Sequence, residues 1–374
     1  MIAVIHPEFK KHFDELEAFH LDLNRRLIPW TYEGLELLTQ LTKERQAFAP
    51  VRLSLMDRLA EIALPFTGKV RAEHQAYIRQ TKYYKIVQEA PFYRRIMNKP
   101  EGYAGDAEMM NIIYRDQYEG ETPFGMLLHR DAVTSDACQA VRNRRTFLLE
   151  WIFRKGRGGK RSRILSIAAG PAMEIRDVLM HNFFGDKYQC DVFDHDIKTI
   201  RNTYQNCTDS RLRYLLGNAF NIIKGSYRVA VPRKALLGVC DPGRDFQGWR
   251  KILAPLKYSF ATLKKEDYDL VYTAGLYDYI KTFPDQPEKG TIALTKNLFA
   301  LVKPGGALII GNFSLNNPRD LRFPMEYIYD WQLIHRNEEE MFQFAQAVPE
   351  REIASMTIEQ EPLGINYFLV IRKK

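Results

Sequence analysis

The chain has 374 residues, 45% of them hydrophobic, with 54 Lys and Arg against 46 Asp and Glu for a net charge of +8. That length exceeds one ordinary core and points to two domains. No stretch approaches the roughly 20 apolar residues that cross a bilayer. The opening Met-Ile-Ala-Val-Ile-His-Pro also has no basic region ahead of its short apolar run, so neither a span nor a secretory signal is expected and the expected location is the cytoplasm. The four cysteines, Cys138, Cys190, Cys207 and Cys240, lie far apart with only His195 near one of them. Buried thiols are expected and no metal site. The densest basic cluster, Arg154 to Arg163, reads as a solvated linker loosened by Gly156, Gly158 and Gly159, or else as a contact for an anionic ligand.

The first 150 or so residues read as helices. Phe9, Phe13, Leu16, Phe19, Leu23 and Leu27 recur at spacings of three and four, which puts them on one face. Pro50 and Pro65 are expected to bracket a short helix through Leu53, Met56, Leu59 and Ile62. A longer helical segment with Val70, Tyr77, Ile78 and Tyr84 ends before Pro91. Residues 1–153 are therefore expected to form an all-helical domain.

Beyond the Gly-rich stretch, short apolar runs alternate with amphipathic ones. Strands are expected at Arg163–Ala168, Gln189–Phe193, Leu212–Leu216, Tyr268–Thr273 and Ala307–Phe313. Strands spaced by helices imply a mostly parallel, Rossmann-like α/β sheet covered on both faces. A helical segment over Met325–Ala347 is followed by strands Ser355–Gln360 and Asn366–Ile371, joined by a link short enough for a hairpin and too short for a crossover helix. Residues 161–374 should thus be one α/β domain with a parallel sheet closed by an antiparallel hairpin. About fifty residues separate Asn218 from Tyr268 where one short helix would suffice. This insertion, about 222–265, contains Tyr227-Arg-Val-Ala-Val-Pro-Arg-Lys and Cys240-Asp-Pro-Gly-Arg-Asp; its residues assign it no role, a substrate-side flap being one reading.

Four segments carry candidate chemistry. In Arg163-Ile-Leu-Ser-Ile-Ala-Ala-Gly-Pro-Ala-Met-Glu174 a strand runs into a bend poor in side chains, so a ligand can lie against Ala168 and Gly170 with Glu174 on the first helical turn. A tight turn with no ligand has the same pattern. In Cys190-Asp-Val-Phe-Asp-His-Asp196, Asp194 follows Gly170 by 24 residues. It is placed to accept hydrogen bonds from two ribose hydroxyls, with His195 beside it, whereas Asp196 fits a helix cap. Asn218 and Ala219 end the third strand, where an amide can accept from an adenine amine or simply make a turn. Finally, the strand Tyr268–Thr273 empties into Ala274-Gly-Leu-Tyr-Asp-Tyr279, a loop expected to face a reacting group because ligands bind beyond the carboxyl ends of such strands.

At these residues the chain resembles the bacterial class I methyltransferases of 3-hydroxypalmitic acid methyl ester biosynthesis. The segments that carry the resemblance are Lys99-Pro-Glu-Gly-Tyr-Ala-Gly-Asp-Ala-Glu-Met-Met110, Ala169-Gly-Pro-Ala-Met-Glu174, Ala274-Gly-Leu-Tyr-Asp-Tyr279, Gly311-Asn-Phe313, Met325-Glu-Tyr and Trp331-Gln-Leu-Ile-His-Arg336. It covers Lys99 to the C-terminus. Ser166, Ala168 and Ala172 depart from the commoner acid and glycines of the first loop. The resemblance implies S-adenosyl-L-methionine as cofactor, S-adenosyl-L-homocysteine as product and methylation of a carboxylate, on a fatty acid or a peptide C-terminus. It also implies that Gly102, Tyr103 and Asp106 close over the cofactor.

A carboxylic acid with a pKa near 4 is already an anion at neutral pH, so such an acceptor needs a donor to hold it rather than a base. Arg336, His335, Tyr103 and Tyr277 are the candidates, Arg336 foremost because its fork matches a carboxylate; a surface ion pair with Glu338–Glu340 is its other reading. A hydroxyl or amine acceptor would instead require a base, Asp278 or His195. A cofactor-binding partner module without turnover is a further reading. No nucleic-acid partner is expected, because the Pro-Pro-aromatic loop of base-amine methylation is absent after Tyr268–Thr273.

Overall fold

The computed structural model describes residues 5–157, 161–181, 185–237 and 257–374. The chain divides into two compact units, Met1–Gln139 with Asn316–Gln332, and Ala140–Leu315 with Leu333–Lys374. The first is helical, the second is built on a sheet.

In the helical unit, α1 (Pro7–Leu27) buries Phe9, Phe13, Leu16, Leu23 and Leu27, the face that the spacing predicts. Helix α2 (Gly34–Ala63) runs straight through Pro50, so the expected short helix is the second half of a longer one. A proline inside a helix loses one backbone bond, and here buried Phe48, Leu55, Met56 and Leu59 on either side hold the helix together. Further on come α3 (Gly68–Gln80), α4 (Lys82–Ile86), α5 (Pro91–Asn98), α6 (Ala107–Arg115) and α7 (Pro123–Val133). Thr81 separates α3 from α4 because its side chain caps the latter, accepting from the Tyr84 amide. The returning segment 316–332 completes this unit. Phe323 meets Phe9 at 6.1 Å between ring centres, Tyr327 Oη donates to the Ala63 carbonyl, and Arg71 pairs with Glu326 at 2.9 Å.

That return corrects the helix expected over Met325–Ala347. The structure has helical turns at Arg319–Phe323 and Pro324–Ile328, a break where Asp330 takes a left-handed backbone, and a new helix at Glu338–Phe342. Asn337 and Glu340 open the last of these with a capping box.

The expected domain boundary at residue 153 also moves. It falls inside α8 (Asp136–Gly156), whose Leu148, Trp151 and Ile152 pack with the sheet. Of the basic cluster, Gly158, Gly159 and Lys160 lie outside the described residues. Arg163, in contrast, faces Asp191 and Asp267 within the fold.

The sheet unit holds nine strands among the described residues, β1 (Ser162–Ile167), β2 (Tyr188–Asp194), β3 (Leu212–Leu216), β4 (Arg228–Pro232), β5 (Tyr258–Thr262), β6 (Tyr268–Thr273), β7 (Val302–Phe313), β8 (Ile353–Gln360) and β9 (Asn366–Lys373). Their order is β5-β4-β3-β2-β1-β6-β7-β9-β8. Strands β3, β2, β1, β6 and β7 are parallel, and β9 enters antiparallel beside β7 with β8 as its hairpin partner. Alternate residues bury opposite faces. Leu165, Ile167, Val271 and Leu308 pack with Leu294 and Leu298, while Ile164, Val192, Leu270 and Ile309 pack with Trp151, Ile175 and Ile200. Helices α9 (Met173–His181), α10 (Ile197–Asn206) and α11 (Ala219–Ile223) follow β1, β2 and β3.

The insertion has strands at its ends, β4 and β5, which extend the sheet antiparallel beyond β3. Its middle, including Cys240-Asp-Pro-Gly-Arg-Asp, lies outside the described residues. Cys138, Cys190 and Cys207 are buried, as expected.

The bend after β1 puts Ala168 at φ 52° and Ala172 at φ 47°, a region that costs a residue with a Cβ about 1–2 kcal/mol. Glycine would relieve that strain and give back about 0.5–1 kcal/mol in chain entropy. Ala168→Gly is therefore expected to raise stability by roughly 0.5–1 kcal/mol, read from urea denaturation. A loss of that size would mean the Ala168 methyl packs against a neighbour that outweighs the strain.

Candidate functional site

The parallel strands end together, and the residues beyond β1, β2, β3 and β6 form the candidate site of the sheet unit. Its centre is Asp194, the last residue of β2 and nearly buried. Oδ2 accepts from the Gly170 amide at 3.0 Å, and Oδ1 accepts from the Asp196 amide at 3.1 Å with His195 Nδ1 3.3 Å away. The bend is fixed further by Ala169, whose amide donates to the Phe193 carbonyl, and by Thr203 Oγ1, which donates to the Gly170 carbonyl at 3.1 Å. The Asp194 hydrogen bond raises the pKa of the half-exposed His195. Asp196 caps α10 through the Lys198 and Thr199 amides, as expected.

Glu174 is buried at the start of α9 and accepts from Tyr272 Oη at 2.6 Å. Burial raises its pKa. Tyr272 also bonds Ser166, so the serine that stands in place of the commoner acid shares a polar cluster with an acid supplied from the next helix. Asn218 takes its turn role. Its Oδ1 caps α11 by accepting from the Phe220 amide at 2.8 Å, and Ala219 is the first residue of that helix.

The loop after β6 differs from expectation in two side chains. Tyr277 is fully buried, its Oη 2.9 Å from Thr295 Oγ1 and its ring against Phe344. Burial raises its pKa, and it points into the core rather than toward an acceptor. Arg336 is 3% exposed. It donates to the Tyr277 carbonyl at 2.8 Å, to Asn312 Oδ1 at 2.6 Å and to the Ile280 carbonyl at 2.6 Å, with its guanidinium over the Phe344 ring. Neither a substrate carboxylate nor a surface pair with Glu338–Glu340 is its partner, because carbonyls of the loop occupy its fork.

Asp278, 2% exposed, accepts from the Phe313 amide at 2.7 Å, and its own carbonyl accepts from Ile334. Burial pushes its carboxyl up to about 6, against the opposing effects of the Phe313 bond, Arg144 and Arg336. His335 lies beside the end of β7, its ring 6.2 Å from that of Phe313. Ala274 ends the β6 side; a Cβ on Gly311 would stand 2.6 Å from its carbonyl oxygen, so only glycine lets β7 pass there.

Tyr103 lies half-buried in the helical unit, in the loop before α6, and Gly102 there is exposed with φ 88°. Asp106 is corrected, since it caps α6 through the Met109 amide and is held by Arg95 at 2.8 Å and 2.9 Å. Arg144 was not foreseen. It sits on the buried face of α8 with Val141, Leu148, Trp151 and Ile152, and donates to the Ala274 carbonyl at 3.1 Å. An arginine at helical spacing within an apolar face was the available signal. Among the described residues no cluster of three or more His, Cys, Asp or Glu could hold a metal, and no helix is long and apolar enough to cross a membrane.

A parallel sheet whose final strand enters antiparallel next to the fifth, with a bend after the first strand tied to an acid ending the second, is the fold of the class I methyltransferases. No family model matches the sequence, and no curated protein matches it. Among solved structures it is similar to a possible exported protein from Bordetella parapertussis, with 14% identity and a TM-score of 0.50 over 87% of this chain and 96% of that one. The CurJ carbon methyltransferase matches at 13% identity and a TM-score of 0.45, over 98% of this chain and 92% of that one. The 1,6-didemethyltoxoflavin-N1-methyltransferase of Burkholderia thailandensis matches at 14% identity and a TM-score of 0.35, over 66% and 82%. At these identities the likeness is one of fold.

Two outcomes follow from the loop after β6. Arg336→Ala would take a charged donor away from three acceptors in the interior and is expected to cost roughly 3–5 kcal/mol of stability, measured by urea denaturation. A cost below about 1 kcal/mol with turnover abolished would return Arg336 to a substrate role. For Asp278, the native state holds its proton up to about pH 6 while the unfolded chain releases it near 3.8. The wild type should therefore lose stability relative to Asp278→Asn as pH rises from about 4 to about 6, by roughly 2–3 kcal/mol, and run parallel to it above. A difference independent of pH would contradict the raised pKa.

Proposed function

We propose that the chain is an S-adenosyl-L-methionine-dependent methyltransferase that converts a carboxylate, on a fatty acid or a peptide C-terminus, to its methyl ester. The observation that carries the cofactor part is the Asp194–Gly170 tie at the crevice beyond β1 and β2. A Cβ built on Gly170 meets no atom within 4 Å, so there is open space against the main chain. Each Asp194 oxygen accepts one backbone amide; Oδ1 is also shared with His195, and Oδ2 keeps a lone pair for a ribose hydroxyl. Half-exposed His195 stands at the rim. These residues fit the nucleoside half of that cofactor. When bound, the cofactor supplies a methyl group on a sulfonium.

For a carboxylate acceptor the chain needs only to orient an anion in line with the donor and keep water back, and orientation alone can lower the barrier by roughly 7–11 kcal/mol. With Arg336 and Tyr277 buried in other bonds, His335 is the candidate that remains in the sheet unit for holding the acceptor. The choice of a carboxylate rests on the resemblance to methyl ester biosynthesis proteins. A second reading is favoured by Asp278, an acid raised to about 6 at the end of β6. A group with that pKa suits removal of a proton from a hydroxyl or amine acceptor.

Calorimetry with S-adenosylhomocysteine tests the cofactor part. The wild type should bind, and Asp194→Ala should weaken binding by roughly 5- to 150-fold, the value of one or two hydrogen bonds to the sugar. Unchanged affinity in a folded variant would refute the ribose assignment. Incubation with the cofactor and free acids or peptides, followed by mass spectrometry, should give a singly methylated ester. A product methylated on a hydroxyl or amine, lost in Asp278→Asn, would establish the second reading instead.

A further inference from the structure

The strand order fixes how a ligand lying across the end of β1 must be divided. On one side β2 pairs with β1, with Phe193 beside Ile167, and brings Asp194 to the crevice. On the other, β6 pairs with β1, with Thr273 beside Ile167, and brings Ala274 to the same level. Adjacent strands are about 4.8 Å apart, so a ligand whose sugar meets Asp194 extends its other end over the residues that follow β6.

Those residues surround a buried cation. Arg144 is 6% exposed and its Nη1 donates to the Ala274 carbonyl at 3.1 Å. The same nitrogen is 3.0 Å from the position a Cβ on Gly275 would take, and Asp278 Oδ2 is 3.5 Å from that position. Guanidinium and carboxylate thus flank the one residue of this turn that has no side chain. On the β1 side, Glu174 feels the charge of Arg144 and is bonded to Tyr272. Its other cationic neighbour, Arg145, is paired with Asp177. A guanidinium that shares the Gly275 turn with one buried carboxyl and is felt by another complements a zwitterion, which brings one negative and one positive group on neighbouring atoms. Arginine is suited to the negative half because its planar fork can grip both oxygens of a carboxylate.

We propose that Arg144 binds the carboxylate of the amino-acid tail of the adenosyl cofactor, on the β6 side of the crevice, with Asp278 and Glu174 bounding the tail's ammonium. This rests on the reading of the crevice as an adenosyl cofactor site, and makes α8, which precedes the sheet, part of that site. Arg144 is a binding residue for the tail, distinct in role from Asp194, which holds the sugar.

The test compares two ligands on the full chain by calorimetry: S-adenosylhomocysteine, and 5′-methylthioadenosine, which shares the nucleoside and the sulfur but ends in a methyl group. Arg144→Met should lower affinity for S-adenosylhomocysteine by at least about tenfold, as expected for loss of a charge-assisted bond, and leave 5′-methylthioadenosine within twofold of the wild type. Arg144→Lys, which keeps the charge without the fork, should fall between. An equal loss for both ligands would show that Arg144 only shapes the crevice, and unchanged binding of S-adenosylhomocysteine would place the tail elsewhere; either overturns the proposal. Were the wild type to bind neither ligand, the cofactor reading itself would fail and this proposal with it.

Discussion

A sheet can present a crevice beyond its strand ends only if the chain leaving the first strand bends away from it at once. Here the bend takes three residues into left-handed backbone, Ala168, Gly170 and Ala172, and two of them carry a Cβ. Asp194 is what balances that cost, since its carboxylate holds the Gly170 amide from the neighbouring strand while Ala169 donates to the carbonyl of Phe193. Tying the bend to β2 rather than to itself has a second effect. The acid that would grip a sugar and the backbone that must stay clear of it are positioned by one interaction, so neither can shift without the other.

The far side of the crevice is built on a different principle. The loop after β6 holds only one short helical turn, at Tyr277–Tyr279, and a single guanidinium supplies further order by gathering acceptors around it. Arg336 reaches Tyr277, Ile280 and Asn312, while Asp278 captures the Phe313 amide. A buried cation and a buried acid thus serve as framework for the loop, each compensating the other's desolvation in part. Asp278 pays for its place with a raised pKa, which is also what suits it to proton transfer.

The sheet was the most legible part of the sequence. Leu212–Leu216 and Tyr268–Thr273 occupy the positions that their apolar runs predict, and the short link before Asn366 does make a hairpin, because strand periodicity and link length are local properties. Pro50 misled for the complementary reason: a proline signals a helix end locally, and what overrides it is packing of Phe48, Leu55 and Met56 that no local window displays. Strands β4 and β5 escaped because their pairing spans the residues from Pro232 to Tyr258, too far apart to read as a hairpin. Near the candidate site, the place of Asp194 at a strand end and the helix cap at Asp196 were legible from spacing, whereas the direction of Arg336 was not. Its neighbours in sequence are Glu338–Glu340, and its partners in space lie 24 to 59 residues away.

The helical unit is not continuous in the chain, since residues 316–332 belong to it although the sheet unit separates them from residue 139. Phe323 and Tyr327, which pack against Phe9 and cap the carbonyl of Ala63, leave the ribosome after β7. The helical unit therefore cannot complete its interior until the chain has been made through residue 332, after all but the last two strands of the sheet. Its apolar faces on α1 and α2 stay incomplete while the sheet strands β1 to β7 are made, a delay that a unit contiguous in the chain would not have.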